Sequence, residues 1–459
     1  MKYSKRKPFM RVSEASALLD SGRITPVDLV EMAIEATDAQ ENEINAYITF
    51  IPDQAREEAK RATEEIRRHG RKSMLHGIPY AVKDLIDVKG LPTTMGSKGM
   101  ENNIPAHDAA TVTRLREAGA ILMGKTNTQE WGIGPAGDQS FYGPVHNPWD
   151  TDRISGGSSS GSCAAVATGM VPISLGSDGG GSIRIPASLC SVVGLKTTYK
   201  RISTAGSATA RVRFASHLSV QGPIASNTED AAIMMDVMDS EHFGYYDAVK
   251  SMNSLAGMRF VVPYNLFKNM VEPGVGDVFE QNVRTLARHG AVILEEDIPW
   301  LADIPALSSS ITFPEAAYKH RDRLATSPES YQPFIRARLE TGFGYSALQY
   351  IEAMERREEA IERFEAYMAD KDALLMPTLP ITAYPLFQTE MDFLGEKKNC
   401  SELLVKHTRT ANVIGCPALS VPGGFSNGLP VGLMLTGAIG ADAKLLALGH
   451  LFEQARDNE

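Results

Sequence analysis

The chain has 459 residues, 43% hydrophobic and 22% charged, with a formal net charge of −10. That apolar content supports a sizeable core, while the acidic balance argues against nucleic acid or an anionic membrane as partner. No run approaches the ~18 apolar residues of a membrane helix, and the basic stretch Lys2 to Lys7 is not followed by an apolar signal segment, so the expected location is cytoplasmic.

Residues 1–70 read as helical. Thr25-Pro26 joins an N-cap residue to a proline at the first helical position, and Leu29, Ala33 and Ile34 recur on one face. A second helix is expected from about Asp53 to Gly70. Ile78 to Val82 and Ala120 to Met123 read as short buried strands, with a helix from Ala110 to Ala118 between them. That alternation predicts an α/β fold with a sheet covered on both faces. Ser160 to Thr168 holds almost only small side chains, which lets a helix lie close on a sheet. Residues 204–218 lack a period and read as a loop. Met258 to Val262, a helix from Val275 to His289, and Val292 to Leu294 give a further β-α-β passage. Ser346 to Met368 reads as a long charged helix with a solvated face. Ala418 to Val421 and Val431 to Leu435 read as strands joined by the turn Phe425 to Gly428, before a last helix.

Cys163, Cys190, Cys400 and Cys416 form no CxxC pair, and the ten histidines show no HExxH. Neither a metal nor another cofactor is expected. Cys163 and Cys190 lie among Ala, Val, Leu and Ser, as small buried hydrophobes do. Two motifs match by letter alone. Gly119 to Thr126 fits GxxxxGK[ST], but a phosphate cradle needs a strand before it and a helix after its lysine. Here a helix precedes four apolar residues, so a buried strand entering a turn is expected. Gly157-Ser158-Ser159-Ser160-Gly161 fits GxSxG, but the polar, turn-rich Asn147 to Ser155 precedes it where a buried strand is required.

Two serine-glycine segments and one lysine carry the chemistry. Gly156 to Ser162 is followed by Asp178-Gly179-Gly180-Gly181-Ser182-Ile183-Arg184, so that Ser158 and Ser182 lie 24 residues apart. Lys83 stands 75 residues before Ser158, after the mostly apolar Ile78-Pro79-Tyr80-Ala81-Val82. A serine needs a base, and no histidine adjoins either segment. A lysine serves if burial keeps it neutral, and strand alternation turns Lys83 away from Asp84. On its own, Lys83 also fits a surface or ion-paired role. The run Gly179 to Gly181 lets successive amides converge on one point, as an oxyanion hole requires, or makes a tight loop. Arg184 is expected to brace that loop through Asp178 or a carbonyl.

The arrangement resembles the amidase signature family. Gly124 to Asn127, Asn147-Pro148-Trp149, Gly194-Leu195-Lys196, Gly222 to Ala225 and Gly428 to Leu433 stand where that family places such motifs. The resemblance implies one large mixed sheet covered by helices on both faces, a single domain over 1–459 with a helical segment 1–70 and a more variable substrate side over about 240–400. It implies Ser182 as nucleophile, Ser158 as a bridging serine after a cis peptide, and Lys83 as base. The amides of Gly179, Gly180, Gly181 and Ser182 would form the oxyanion hole, with Ser159, Asp178 and Arg184 in support. Ser160, Gly179, Thr197 and Lys200 depart from the usual residues without removing a reacting group.

The implied reaction is hydrolysis of a carboxamide through an acyl-serine, releasing ammonia or an amine, without cofactor. The same chemistry suits carbamates (urethanes) and esters. Two further readings are the glutaminase component of a glutamyl-tRNA amidotransferase and a silent binding protein on this scaffold. That glutaminase carries an aspartate for the glutamine ammonium seven residues before the asparagine matching Asn412, and Val405 stands there. A free-standing enzyme preferring neutral amides to glutamine is therefore expected, with a homodimer compatible. Trp131, Phe313, Tyr318 and Phe343 are the candidate substrate contacts, and each also fits a core role.

Overall fold

The computed structural model describes residues 8–206 and 217–458. The helices Val12–Asp20, Pro26–Ile44 and Pro52–His69 form the first segment. Thr25 caps the second through the Asp28 amide while Asp28 takes the Thr25 amide, a reciprocal box that sets its start. A strand, β1 (Tyr47–Phe50), interrupts this segment where only helix was expected. Four residues with one buried side chain are too short to show a period.

The next strands are β2 (Pro79–Lys83), β3 (Ile121–Thr126), the ribbon β4 (His146–Asn147) and β5 (Asp150–Ile154), and β6 (Ile173–Asp178). They are followed by β7 (Val193–Lys196), β8 (Val220–Ala225), β9 (Arg259–Val262), β10 (Val292–Glu295) and β11 (Ala373–Pro377). A second ribbon, β12 (Glu390–Phe393) and β13 (Glu396–Asn399), precedes β14 (Ala418–Ser426) and β15 (Leu429–Thr436).

One mixed sheet of eleven strands runs β1-β3-β2-β6-β8-β7-β14-β15-β11-β9-β10. Strands β3, β2 and β6 are parallel, as are β11, β9 and β10, with antiparallel pairs between these groups. Every residue of β2, β3, β6, β7, β8, β11 and β15 is buried, as strands are when helices cover both faces. The helix Pro273–Arg288 joins the parallel β9 and β10, as the β-α-β pattern predicted.

The helix Ser160–Ala167 is wholly buried up to Val166. A side chain at Gly161 would collide with the Ala46 carbonyl and the Asn127 backbone, so its small residues reflect close approach. The expected strand to Met123 continues through Gly124-Lys125-Thr126, paired to β2. Lys125 is thus no phosphate ligand; it is buried on Asp84 at 2.8 Å and Thr93 Oγ1 at 2.9 Å. The expected long turn 425–428 is shorter: Asn427 and Gly428, both at positive φ, close β14 onto β15 in a two-residue hairpin. Ser346 and Gln349 make a capping box at the head of the charged helix Ala347–Met368. Most of the expected loop over 204–218 lies outside the described residues.

Candidate active site

Parallel strands end side by side, and loops at their carboxyl ends hold the site. Lys83 ends β2 and Asp178 ends its neighbour β6. Ser158 precedes the helix Ser160–Ala167, and Ser182 precedes the helix Arg184–Cys190. The peptide Gly157–Ser158 is cis.

Lys83 is fully buried, its Nζ 2.8 Å from Ser158 Oγ, 2.8 Å from Ser159 Oγ and 3.0 Å from Ser177 Oγ. Burial pushes its pKa down to about 7, against the opposing pull of the Asp178 carboxylate. Its side chain does diverge from Asp84, which pairs with Lys125. Lys196, also buried, is held by the carbonyls of Thr197 and Cys416 at 3.0 and 2.8 Å.

Ser158 and Ser182 line one cleft together with Ser177, Gly179 and Gly180. Ser159 is fully buried and outside that lining. Its Oγ donates to the Ser177 carbonyl at 3.2 Å and its amide donates to the Ser182 carbonyl at 3.0 Å. Ser159 therefore ties the two serine segments together. The short strand before this GxSxG match, β5, belongs to a two-stranded ribbon outside the main sheet and buries only Ile154, so it is not the buried strand that an elbow requires.

Asp178 and Arg184 form a wholly buried two-pronged pair at 3.0 and 3.1 Å. Burial alone would raise the Asp178 carboxyl; Arg184, Asn412 and Lys196 outweigh it and hold the group well below the usual range. The remaining Arg184 donors reach the Thr408 carbonyl at 2.8 Å and Asn412 Oδ1 at 2.7 Å. This is the brace expected of Arg184, extended to a distant helix.

One oxyanion candidate is corrected. The Gly181 amide donates to Asp178 Oδ1 at 2.8 Å, because the carboxylate caps the turn. The amides of Gly179, Gly180 and Ser182 carry no hydrogen bond among the described residues. Gly181 has φ 121°, and a side chain there would strike Thr408, which in turn donates to the Gly180 carbonyl at 2.7 Å. Thr408 and Asn412 were not foreseen as supports for this loop, since more than 220 residues separate them from it. Ser177 was missed too; a serine next to Asp178 at the end of a buried strand was the available signal.

Of the aromatic candidates, Trp131 and Phe313 line the cleft. Tyr318 and Phe343 do not; they are 60% and 59% exposed. Helical and turn spacing gave no means of telling which faces would turn inward. Val405 lines the cleft as well. Asn147 and Trp149 hold the ribbon against the helix Arg184–Cys190 through the Leu189 and Cys190 carbonyls, at 3.1 and 2.9 Å. All four cysteines are buried free thiols, and no group of acids, histidines and cysteines among the described residues could hold a metal ion.

Comparison with known proteins agrees with this architecture. A family model described as Amidase matches residues 28–446. The A-type subunit of the glutamyl-tRNA(Gln) amidotransferase of Exiguobacterium sp. is 37% identical over 476 residues, covering 97% of both chains. The crystal structure of an amidase superposes with a TM-score of 0.90 at 35% identity, covering 97% of this chain and 100% of the other. A bacterial aryl acylamidase of the amidase signature family does so at 0.87 and 25% identity, covering 98% and 96%.

Proposed function

Because this chain belongs to the amidase family, we propose that Ser182, Ser158 and Lys83 carry its amide hydrolysis through an acyl-serine intermediate. The observation that carries the assignment is Lys83, buried and 2.8 Å from Ser158 Oγ, with its pKa pushed down to about 7. A neutral amine there accepts a proton from Ser158, which takes one from Ser182 as its Oγ bonds to the amide carbon. The carbonyl electron pair moves onto oxygen, facing the amides of Gly179, Gly180 and Ser182. When the C–N bond breaks, Ser158 protonates the leaving nitrogen and is resupplied by Lys83. Water then repeats the sequence in reverse roles and frees the carboxylate. Ser158 is favoured over Ser159 as relay because it reaches the cleft, whereas Ser159 is engaged by Ser177.

The chain acts without a partner protein. Its relatives include components of an amidotransferase, but Val405 offers no counterion for a glutamine ammonium, and an unpaired buried charge is costly. Free thiols at all four cysteines suit a reducing cytoplasm. The test is a serine-reactive fluorophosphonate followed by mass spectrometry, with amide hydrolysis measured on the protein alone. Labelling at Ser182, lost in Ser182→Ala and retained in Ser159→Ala, supports the assignment. Labelling at Ser159, or turnover that appears only with added partner proteins, overturns it.

A further inference from the structure

The cleft wall opposite in sequence to the serine loops comes from the helices Ile304–Thr326, Pro333–Glu340 and Arg409–Ile414. It brings two guanidinium groups, Arg338 and Arg409, into the same cleft as Ser158 and Ser182. Arg338 Nε is buried without a hydrogen-bond partner, and its guanidinium lies over the rings of Phe313 and Phe334 at 5.4 and 5.5 Å. Arg409 reaches Ser309 Oγ at 3.4 Å. Neither makes an ion pair within 4.0 Å among the described residues.

This is unlike Arg184, whose donors are taken up by Asp178, Thr408 and Asn412. A guanidinium presents five N–H donors in a planar fork; Arg338 and Arg409 are both partly exposed, and Arg338 Nε is the donor buried without a partner among the described residues. Burial pushes both arginines below their ordinary range, Arg409 down to about 10, where the charge of Arg338 adds and Glu402 opposes. The two cations therefore stand close enough to repel. Among the described residues no aspartate or glutamate lines this cleft. Thr312 Oγ1, another lining atom, is also buried without a partner. Arg338, Arg409 and Thr312 thus line one cleft and aromatic rings flank one of the guanidinium groups, while Glu402 acts on both arginines without an ion pair within 4.0 Å among the described residues.

We propose that Arg338 and Arg409 together bind a carboxylate of the substrate, so that the enzyme acts on small amides carrying a carboxylate and no adjacent ammonium. This rests on the Ser182 reading above and replaces the neutral amide that the sequence alone implied. A planar carboxylate matches the guanidinium fork in two parallel hydrogen bonds. Glutamine offers the carboxylate too, but its ammonium would sit near two arginines and beside Val405, without an acid.

The experiment compares kcat/KM for succinamate and glutaramate, and for N-acetylglycine, with length-matched neutral amides and with glutamine. Fluorophosphonate titration counts active sites in each preparation. At least one carboxylate-bearing amide should exceed its neutral match by roughly 10–100-fold, the acyl-side and amine-side arms showing where the carboxylate belongs. In Arg338→Met and Arg409→Met that preference should fall to within about threefold, mainly through KM, with partial recovery in the Lys variants. A purely structural role would depress both substrate types alike, and that result overturns the proposal. Should the variants not fold, Ser182→Ala protein should bind glutaramate or N-acetylglycine at least ~10-fold more tightly than its length-matched neutral amide in calorimetry, and equal binding for both pairs overturns it. Titratable wild-type enzyme that prefers neutral amides sinks this inference alone. Protein that neither labels nor hydrolyses any amide sinks the Ser182 reading with it.

Discussion

The pKa of Lys83 can be tested through activity and stability together. An ordinary lysine titrates at 10.5 and this one at about 7. At pH 7 about half of the amine is then free base, roughly 1,600-fold more than an unperturbed lysine supplies. The kcat/KM profile should therefore rise about tenfold per pH unit below 7 and flatten above it. The same displacement has a thermodynamic cost. Between pH 7 and 10.5 the unfolded chain binds a proton at Lys83 that the folded chain does not, so stability rises with pH over that window. The handicap is absent above pH 10.5, grows as pH falls, and is complete below 7, at about 5 kcal/mol from 3.5 pK units. Lys83→Met removes it, together with catalysis at every pH. Urea unfolding of wild type and variant should diverge as pH is lowered from 10 to 7, while groups common to both cancel. Parallel stability curves, or a wild-type profile still climbing past pH 9, would refute a buried neutral lysine.

Other expectations follow from the same geometry. Ser182→Ala should lose ~10³-fold or more in kcat with its melting temperature retained; near-wild-type turnover would overturn the nucleophile assignment. Arg184→Met leaves Asp178 buried without its partner and should cost about 3–5 kcal/mol in denaturant unfolding, whereas a surface-like loss below ~1 kcal/mol would contradict the brace. Val405→Asp should raise kcat/KM for glutamine by roughly tenfold, as a new counterion for the ammonium; no change would show that the ammonium does not pass this position. Chelators should leave turnover intact, and inhibition reversed by added metal would contradict a metal-free mechanism.

The α/β class and the β9-helix-β10 passage were legible because apolar periodicity and capping are local properties. The serine segments and Lys83 were recognisable for a related reason: their residue types limit the chemistry available, and resemblance to the amidase signature family then proposed roles for them. What the sequence could not decide was long-range. β1 is too short to show a period, and the buried pairing of Lys125 with Asp84 joins residues far apart in the chain. Likewise Gly181 reads as one more oxyanion amide until the Asp178 carboxylate claims it. Tyr318 and Phe343 carry the same aromatic signal as Trp131 and Phe313, yet only packing decides which rings turn inward. Arg338 and Arg409 went unremarked because a charged residue in a helix reads as a solvated face. Their lack of acidic partners exists only once helices more than 60 residues apart close the cleft. Burial and pairing of charges depend on contacts between distant segments, so these features were decided by the tertiary structure alone.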